Sequence, residues 1–552
     1  MNFLEHIFQS LNRSAERPVL GEARPGGVVA VSGRELLELV RRARAFIRRT
    51  GLRKGERCAL LAHNSIHWAA ADLALMAEGI VVVPLYARQA PAELVAIMRD
   101  AAPRLILCGG TSLRDAVAEH WADAPPRYLL SEVMAEDGRD SNVEDAPTAL
   151  GDGDSVTIIY TSGTSGDAKG AVLTVGNLNH MLACTTGRLD QLMGQQPEPE
   201  RVFHYLPFCF AGSWILLLSC LSRRSLLTLS TDLTKLMDEL AAAAPQYFLN
   251  VPVLLERVRK GVEEKVAERG GVGRLLFEKG KAAWLRQRAG RVNFLDSFWL
   301  ALARRLVFAK IRGRLGPNLK ALICGSAPLA LETQQFFVLL GLPVLQVYGL
   351  TETTAICTMD VPGQVEPGRV GPAIPGTEMK LGENDEILVR GPHIFPGYWN
   401  RPEETAKVLR GGWFHTGDQG EVNAEGNWRI IGRVKNLIIL SSGHNIAPEP
   451  MEDLLVRSIP GAQQVVLVGN SRSYLAALVT GNVTREEAEA AVAQFNDGLP
   501  HYKRVHSLYV CAEAFTIENG LLTANGKLKR DAIATRYRAE IEAMYHVKES
   551  RL

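Results

Sequence analysis

Through the first hundred residues, short apolar runs alternate with longer stretches of mixed polarity. Cys58-Ala59-Leu60-Leu61-Ala62, Ile80-Val81-Val82-Val83-Pro84 and Leu105-Ile106-Leu107-Cys108 have the length and continuity of buried strands. Helices are expected between them, over about 33–50 and 66–79. Ser32 followed three residues later by Glu35 is the capping-box signature for the first of these. Such alternation predicts an α/β fold, with a mostly parallel sheet covered by helices.

Residues 131–154 are acidic and rich in turn formers, and they read as a surface loop. Alternation resumes through Phe248-Leu249-Asn250-Val251-Pro252, Ala321-Leu322-Ile323-Cys324 and Val344-Leu345-Gln346-Val347-Tyr348. From about 360 to 432, Gly, Pro and short runs such as Glu386-Ile387-Leu388-Val389 predict a small β subdomain. A third texture follows Arg433: a hairpin-like pair, Val465–Val468 and Leu475–Val479, a helix near 484–496, and a lysine-rich tail. This change puts a boundary near Lys435 and divides the chain into 1–434 and 435–552.

Composition narrows the class. At 552 residues the chain is long enough for three or four packing units, and 47% apolar with 22% charged residues is the balance of a soluble globular protein. With 62 Lys+Arg against 60 Asp+Glu, no overall field would draw nucleic acid. The eight cysteines stand singly, in no C-x-x-C pair, which argues against a zinc site or disulfide framework and fits a reducing cytosol. The N-terminus lacks the form of a signal peptide. The apolar run Trp214–Leu221 stops at Arg223-Arg224, short of a membrane span. One local exception to the charge balance lies between Arg274 and Arg314, where eleven Lys/Arg face two Asp/Glu and are interleaved with Phe277, Trp284, Phe294, Phe298 and Trp299. Such text fits either a membrane-surface contact or ordinary helices that bury the aromatics.

Candidate chemistry starts at Thr161-Ser162-Gly163-Thr164-Ser165-Gly166-Asp167-Ala168-Lys169. Glycines let backbone N–H groups approach an anion, hydroxyls add donors and a lysine adds charge, which is what a polyphosphate requires. The spacing is G-x-x-G-x-x-K and not the Walker pattern. Gly325-Ser326-Ala327-Pro328 follows one strand, and Tyr348-Gly349-Leu350-Thr351-Glu352-Thr353 follows another. The second offers an aromatic face, a hydroxyl and a carboxylate suited to Mg²⁺ beside nucleotide phosphates. Trp413-Phe414-His415-Thr416-Gly417-Asp418 and Gly432-Arg433-Val434-Lys435-Asn436 add an acid and a base able to hold ribose and phosphate oxygens. Leu522-Thr523-Ala524-Asn525-Gly526-Lys527-Leu528-Lys529-Arg530 sets three cations after a turn. Each segment alone has an ordinary reading as a loop or a solvated face.

Taken in order, these motifs resemble those of the adenylate-forming superfamily, over nearly the whole chain. Long-chain acyl-CoA synthetases look most similar, through Gly325–Leu329, Phe395-Pro396-Gly397-Tyr398-Trp399 and Leu528-Lys529-Arg530. The resemblance implies a large N-terminal domain of two α/β subdomains plus a small β subdomain, then a small mobile α+β C-terminal domain. It implies ATP, Mg²⁺ and coenzyme A as cofactors. The loop Thr161–Lys169 would cradle pyrophosphate, with Thr164 and Glu352 toward the metal. Tyr348, Gly349 and Gly325-Ser326-Ala327 would line the adenine pocket, Thr351 would hold the α-phosphate, and Asp418 and Arg433 the ribose. Lys435 matches the hinge, Lys527 the adenylation lysine, and Gly443 lies on the thiol path. Phe210 and Trp214 fall in the acyl-pocket region, Trp214 either as a gate or as a core residue. Ser165 and Ala168 depart from the usual threonine and proline, and Phe210 stands where a histidine or another aromatic is frequent. The implied reaction is ATP-dependent conversion of a medium- or long-chain fatty acid to its acyl-CoA through an acyl-adenylate.

Three further expectations concern partners: an acyl carrier protein whose phosphopantetheine is the alternative acceptor, for a fatty or an aryl acid, a homodimer, and peripheral contact with the inner face of a membrane. A non-catalytic nucleotide-binding protein is the rival of another class, and retention of Lys169, Glu352, Asp418, Arg433 and Lys527 together argues against it. No G-x-S-x-G, H-E-x-x-H or G-x-G-x-x-G suggests a hydrolase or dehydrogenase.

Overall fold

The computed structural model describes residues 1–136, 146–162, 168–194, 196, 198–291, 293–522 and 526–549. Two large sheets carry the N-terminal part. In one, Arg57–Leu61, Val81–Leu85, Leu105–Cys108, Arg127–Leu129 and Ser155–Ser162 run parallel. Ala168–Thr174 and then Gly397–Tyr398 extend that sheet antiparallel. In the other, six parallel strands run from Pro18–Arg24 through Ser225–Leu229, Glu200–His204, Tyr247–Asn250 and Leu322–Cys324 to Val344–Tyr348. Antiparallel strands Gly27–Ser32 and Thr358–Met359 close its two edges. Doubly buried strands explain the unbroken apolar runs, because both faces are covered by helices.

Sequence and structure agree closely where periodicity was strong. The first predicted helix is Gly33–Arg49, and Ser32 and Glu35 form the capping box reciprocally. The second is Ile66–Ala77, buried nearly all round. Two features escaped the pattern: the amphipathic helix Phe3–Arg13 and the hairpin Pro18–Arg24/Gly27–Ser32. The stretch expected to be a loop from 131 contributes instead to the helix Leu130–Met134, whose Val133 and Met134 enter the core. Residues 137–145 of that stretch lie outside those described.

The β subdomain is a five-stranded antiparallel sheet built on Trp413–Val422, with Glu386–Arg390, Leu409–Arg410 and Trp428–Arg433 as its direct partners. After it, a short turn at Val434–Asn436 leads into Ala462–Val468, Leu475–Gly481 and Val505–Val510, a separate three-stranded sheet. Buried apolar clusters among the described residues fall either before residue 431 or from Ile438 onward, and none spans the turn. All eight cysteines are free, and seven are buried. No helix among the described residues is long and apolar enough to cross a membrane.

Trp214 lies in the largest core cluster, and its indole N–H donates to Asp72 Oδ2 at 2.8 Å. Burial pushes the Asp72 carboxyl up to about 7, with the indole donor opposing the rise. A carboxyl raised on folding binds more protons in the native state, so stability falls as pH rises from the unfolded value, about 3.9, toward 7 and levels off above it. Asp72→Asn keeps an acceptor for the indole and removes the charge. Relative to the parent it gains about 3 kcal/mol between pH 4 and pH 8, read from urea unfolding. A variant that keeps the parental pH slope would mean that Asp72 is already ionised in the native core.

Candidate active site

Parallel strands carry the first half of the site to one edge. Leu322–Cys324 and Val344–Tyr348 are neighbours in register, so Gly325 and Gly349 leave the same end of the sheet. Both glycines are sterically required. A Cβ on Gly325 would lie 2.7 Å from a Val347 methyl, and one on Gly349 2.3 Å from the Ala355 carbonyl oxygen. Beyond Gly349 the chain makes the tight turn Thr351–Thr353, then places Thr354 and Ala355 in the left-handed region at φ 50° and 86°. Hydrogen bonds hold that bend: Thr354 N to Thr351 O at 3.0 Å, Ala355 N to Leu350 O at 3.0 Å, and Thr354 Oγ1 to His393 O at 2.7 Å. Ser326 beside Gly325 is also left-handed, at φ 73°. Non-glycine residues in this region cost of order 1 kcal/mol each and persist where the surroundings over-determine them.

The bend buries Glu352. Its Oε1 accepts from the Tyr398 hydroxyl at 2.7 Å and its carbonyl from Phe395 N at 2.9 Å. Tyr398 pairs with the strand Ala168–Thr174 of the other sheet, which links Glu352 to Lys169. The Lys169 ammonium stands 5.6 Å from the Tyr398 ring centroid and pairs with Glu404. Lys169, with Lys407, holds the Glu404 carboxyl down at about 2. Thr161 and Ser162 end the strand that leads into the phosphate loop, and Thr161 Oγ1 lies 3.5 Å from the Lys169 carbonyl oxygen. Gly163, Thr164, Ser165 and Gly166 lie outside the described residues, and with them the role of Thr164 toward a metal.

The β subdomain supplies the second half. Asp418 and Arg433 are direct cross-strand partners. Asp418 Oδ1 meets Arg433 Nε at 2.8 Å, and Oδ2 accepts from the Tyr348 hydroxyl at 2.7 Å. Burial raises the Asp418 carboxyl above its ordinary value, while Arg433, the Tyr348 hydroxyl and Lys527 pull it back. Burial likewise opposes the Arg433 charge, but Asp418, Tyr348, Glu352 and Glu449 outweigh it and the guanidinium pKa rises.

Lys527 comes to this cleft from the C-terminal sheet region, close enough to feel Arg433, Asp418 and Glu352. Enclosure by protein and the Arg433 charge lower its pKa, and the two carboxylates oppose them. Its side chain is nonetheless solvent-accessible, which marks an open, protein-walled cleft and not a sealed core.

Two other expected positions lie elsewhere. Lys435 is exposed on the turn Val434–Asn436 between the two sheet systems. Gly443 is in an exposed turn at φ 82°, bonded through its N–H to Leu440 O, and its neighbour His444 stacks on Tyr502 at 4.2 Å. In the acyl-pocket region, Phe210 is half-buried and lies 5.7 Å from Tyr86, and both residues follow the C-terminal ends of parallel strands. Trp214, fixed to Asp72, has the environment of a core side chain.

Sequence reasoning missed three participants. Tyr398 was visible only inside a family cue, and Glu404 looked like any acid in the first turn of a surface helix. Glu449 belongs to the domain junction. It accepts from Asn436 Nδ2 at 2.6 Å, lies 3.7 Å from Arg530, and its other oxygen is buried against Gly432. No local pattern announces such a contact.

The donor set suits Mg²⁺ carried by a nucleotide. A buried carboxylate, Glu352, stands near a cationic cleft, and nucleotide phosphates and water would complete the shell. Residues 7–399 match the model of the AMP-binding enzyme family, and residues 435–549 that of the AMP-binding enzyme C-terminal domain. The long-chain-fatty-acid–CoA ligase FadD15 of Mycobacterium bovis is 29% identical over 541 residues, covering 90% of this chain and 89% of the relative. A chloroplastic long-chain-fatty-acid–[acyl-carrier-protein] ligase of Arabidopsis thaliana is 26% identical, covering 90% and 80%. The crystal structure of ATP-bound MatB from Rhodopseudomonas palustris superposes with a TM-score of 0.72 at 22% identity, covering 97% of this chain and 99% of that one. The chain belongs to the AMP-binding enzyme family.

Proposed function

We propose that the protein is an AMP-forming ligase that joins a long-chain fatty acid to coenzyme A. The observation that carries this reading is the Asp418–Arg433 pair bonded to Tyr348, with Lys527, from the far end of the chain, within electrostatic reach of that pair and of Glu352. A cation there is placed to serve a reaction at the α-phosphate.

The first half-reaction joins a carboxylate oxygen to the α-phosphorus and breaks the bond to the β-phosphate, so that pyrophosphate leaves. Both reactants are anions, and positioning and charge stabilisation dominate. Lys527 would bridge the attacking carboxylate and the α-phosphate. Thr351 would donate to an α-phosphate oxygen, Asp418 would accept from the ribose hydroxyls, Arg433 would donate to ribose or phosphate oxygens, and Tyr348 would lie along the adenine. Lys169 would exchange Glu404 for the leaving polyphosphate. Glu352 and the phosphates would hold Mg²⁺, whose charge would help neutralise the pyrophosphate.

In the second half-reaction a thiol sulfur bonds to the acyl carbon and AMP leaves. The unit from Lys435 onward turns about that residue, withdrawing Lys527 and bringing the Gly443 turn toward the thiol path. The reading is supported by the separate cores on either side of Val434–Asn436 and by the exposure of Gly443 in the present arrangement.

The second acceptor, a carrier-protein phosphopantetheine, is favoured by the name of the Arabidopsis relative. Homodimerisation and peripheral membrane contact belong to the same reading. The test is a mass-spectrometric assay with ATP, Mg²⁺ and CoA over fatty acids of increasing length and aryl acids. Acyl-CoA and AMP are expected with long-chain acids. Acyl-adenylate without acyl-CoA would move the acceptor to a carrier protein, and no product from any acid would overturn the reading.

A further inference from the structure

The helices between Pro252 and Leu315 form an insert whose inner side is well packed. Phe277, Trp284 and Phe308 are buried there, and Gly280 lies so near Ala303 that a Cβ would sit 2.4 Å from its methyl. The outer side is different. Eight of the eighteen exposed large hydrophobic side chains among the described residues fall between Val253 and Leu306, and the two aromatic ones are both here. Phe294 is 87% exposed and Phe298 58% exposed, with Leu295 between them at 43%. They stand where the helix Gly271–Arg288 turns into Asp296–Ala303.

The charge around them is one-sided. Arg288, Arg291, Arg304 and Arg305 are exposed, and the ion pair of Arg286 with Asp296 neutralises one of the two acids in the eleven-cation stretch. The chain as a whole carries only +2, so the basic character is local to this face. The aromatic residues thus divide: packing accounts for Phe277 and Trp284, whereas Phe294 and Phe298 project into solvent, Phe298 with one edge against the Trp299 ring at 5.6 Å.

We propose that this end of the insert is a docking surface for an anionic phospholipid bilayer, with Phe294, Leu295 and Phe298 entering the acyl boundary and the arginines meeting lipid phosphates. A bilayer interface satisfies both features together, apolar rings below and guanidinium groups at headgroup level. An acidic protein would match the charge but gives no reason for two projecting rings. Long-chain acids partition into bilayers, so the contact brings the ligase to its substrate. Binding itself does not depend on which acid is activated, and it is read without turnover.

The test is co-sedimentation of the full chain with phosphatidylcholine vesicles, with and without phosphatidylglycerol, in low and high salt. Binding is expected to the anionic vesicles, weakening as salt rises. The double variant Phe294→Ser/Phe298→Ser lowers vesicle affinity by at least about tenfold, and Arg288→Glu/Arg291→Glu by at least about tenfold, from the burial of one ring and the attraction of two cations respectively. All four positions are exposed, so the thermal midpoint and the activity on micellar or short acids stay at parental values. The proposal is overturned if the parent ignores anionic vesicles in low salt, or if both variants bind like the parent. It is also overturned if the parent captures an acidic carrier protein through these residues while leaving vesicles unbound.

Discussion

Lys527→Ala is expected to lower acid-dependent ATP–pyrophosphate exchange by about 10² to 10³-fold, the cost of removing one preorganised charge from a polar transition state. The same variant is expected to convert supplied acyl-adenylate to acyl-CoA at nearly the parental rate. The split follows from geometry. In the present arrangement Lys527 lies with Glu352, Asp418 and Arg433, whereas the Gly443 turn faces solvent. One orientation of the C-terminal unit therefore offers the lysine and leaves that turn idle. Lys529, two residues on and exposed, is the internal control, and its alanine variant should leave both half-reactions intact. The lowered pKa of Lys527 adds a direction: exchange falls on the alkaline side earlier than an ordinary lysine would dictate. Equal loss of both half-reactions would show that Lys527 supports the fold or nucleotide binding in general.

Asp418→Ala should weaken ATP binding by about 10²-fold, measured by calorimetry in the absence of acid. In the proposed role, two hydrogen bonds from the ribose hydroxyls to a charged group are lost, each contributing about 1.5 to 3 kcal/mol. The substitution also unfixes both neighbours, since Arg433 Nε and the Tyr348 hydroxyl each hold one carboxylate oxygen. In contrast to Lys527→Ala, the loss should appear in both half-reactions, because the adenylate occupies the same nucleotide site in each. Tyr348→Phe is the milder companion. It keeps the ring proposed to lie along adenine and removes only the hydroxyl, so affinity should fall about fivefold. Parental ATP affinity in Asp418→Ala would detach the Asp418–Arg433 pair from the nucleotide.

Much of this protein can be read from local pattern. The capping box at Ser32 and Glu35, the doubly buried strands and the change of texture after Arg433 are properties of short windows, where steric and solvation preferences act residue by residue. The site motifs are legible for the same reason. Gly325 and Gly349 exist because a side chain would strike Val347 or the Ala355 carbonyl, and such constraints leave glycine in fixed places. Harder to see were Phe3–Arg13 and the strand Gly27–Ser32, a half-exposed edge whose short run has no long period.

What the sequence by itself determined was the class of the strongly periodic elements and the motif residues to be weighed as a site. Only the tertiary structure decided which charges meet. Lys169 and Glu404 are 235 residues apart, Tyr348 and Asp418 are 70 apart, and no window contains either pair. It also decided which aromatics of the basic insert are core and which face water, because Phe277 and Phe294 look alike in composition and differ only in what packs over them. Trp214 is the same lesson inside the fold, with a partner, Asp72, that lies 142 residues away. Local preference is encoded in neighbours along the chain, but burial and pairing depend on neighbours in space, and these exist only once the sheets have assembled.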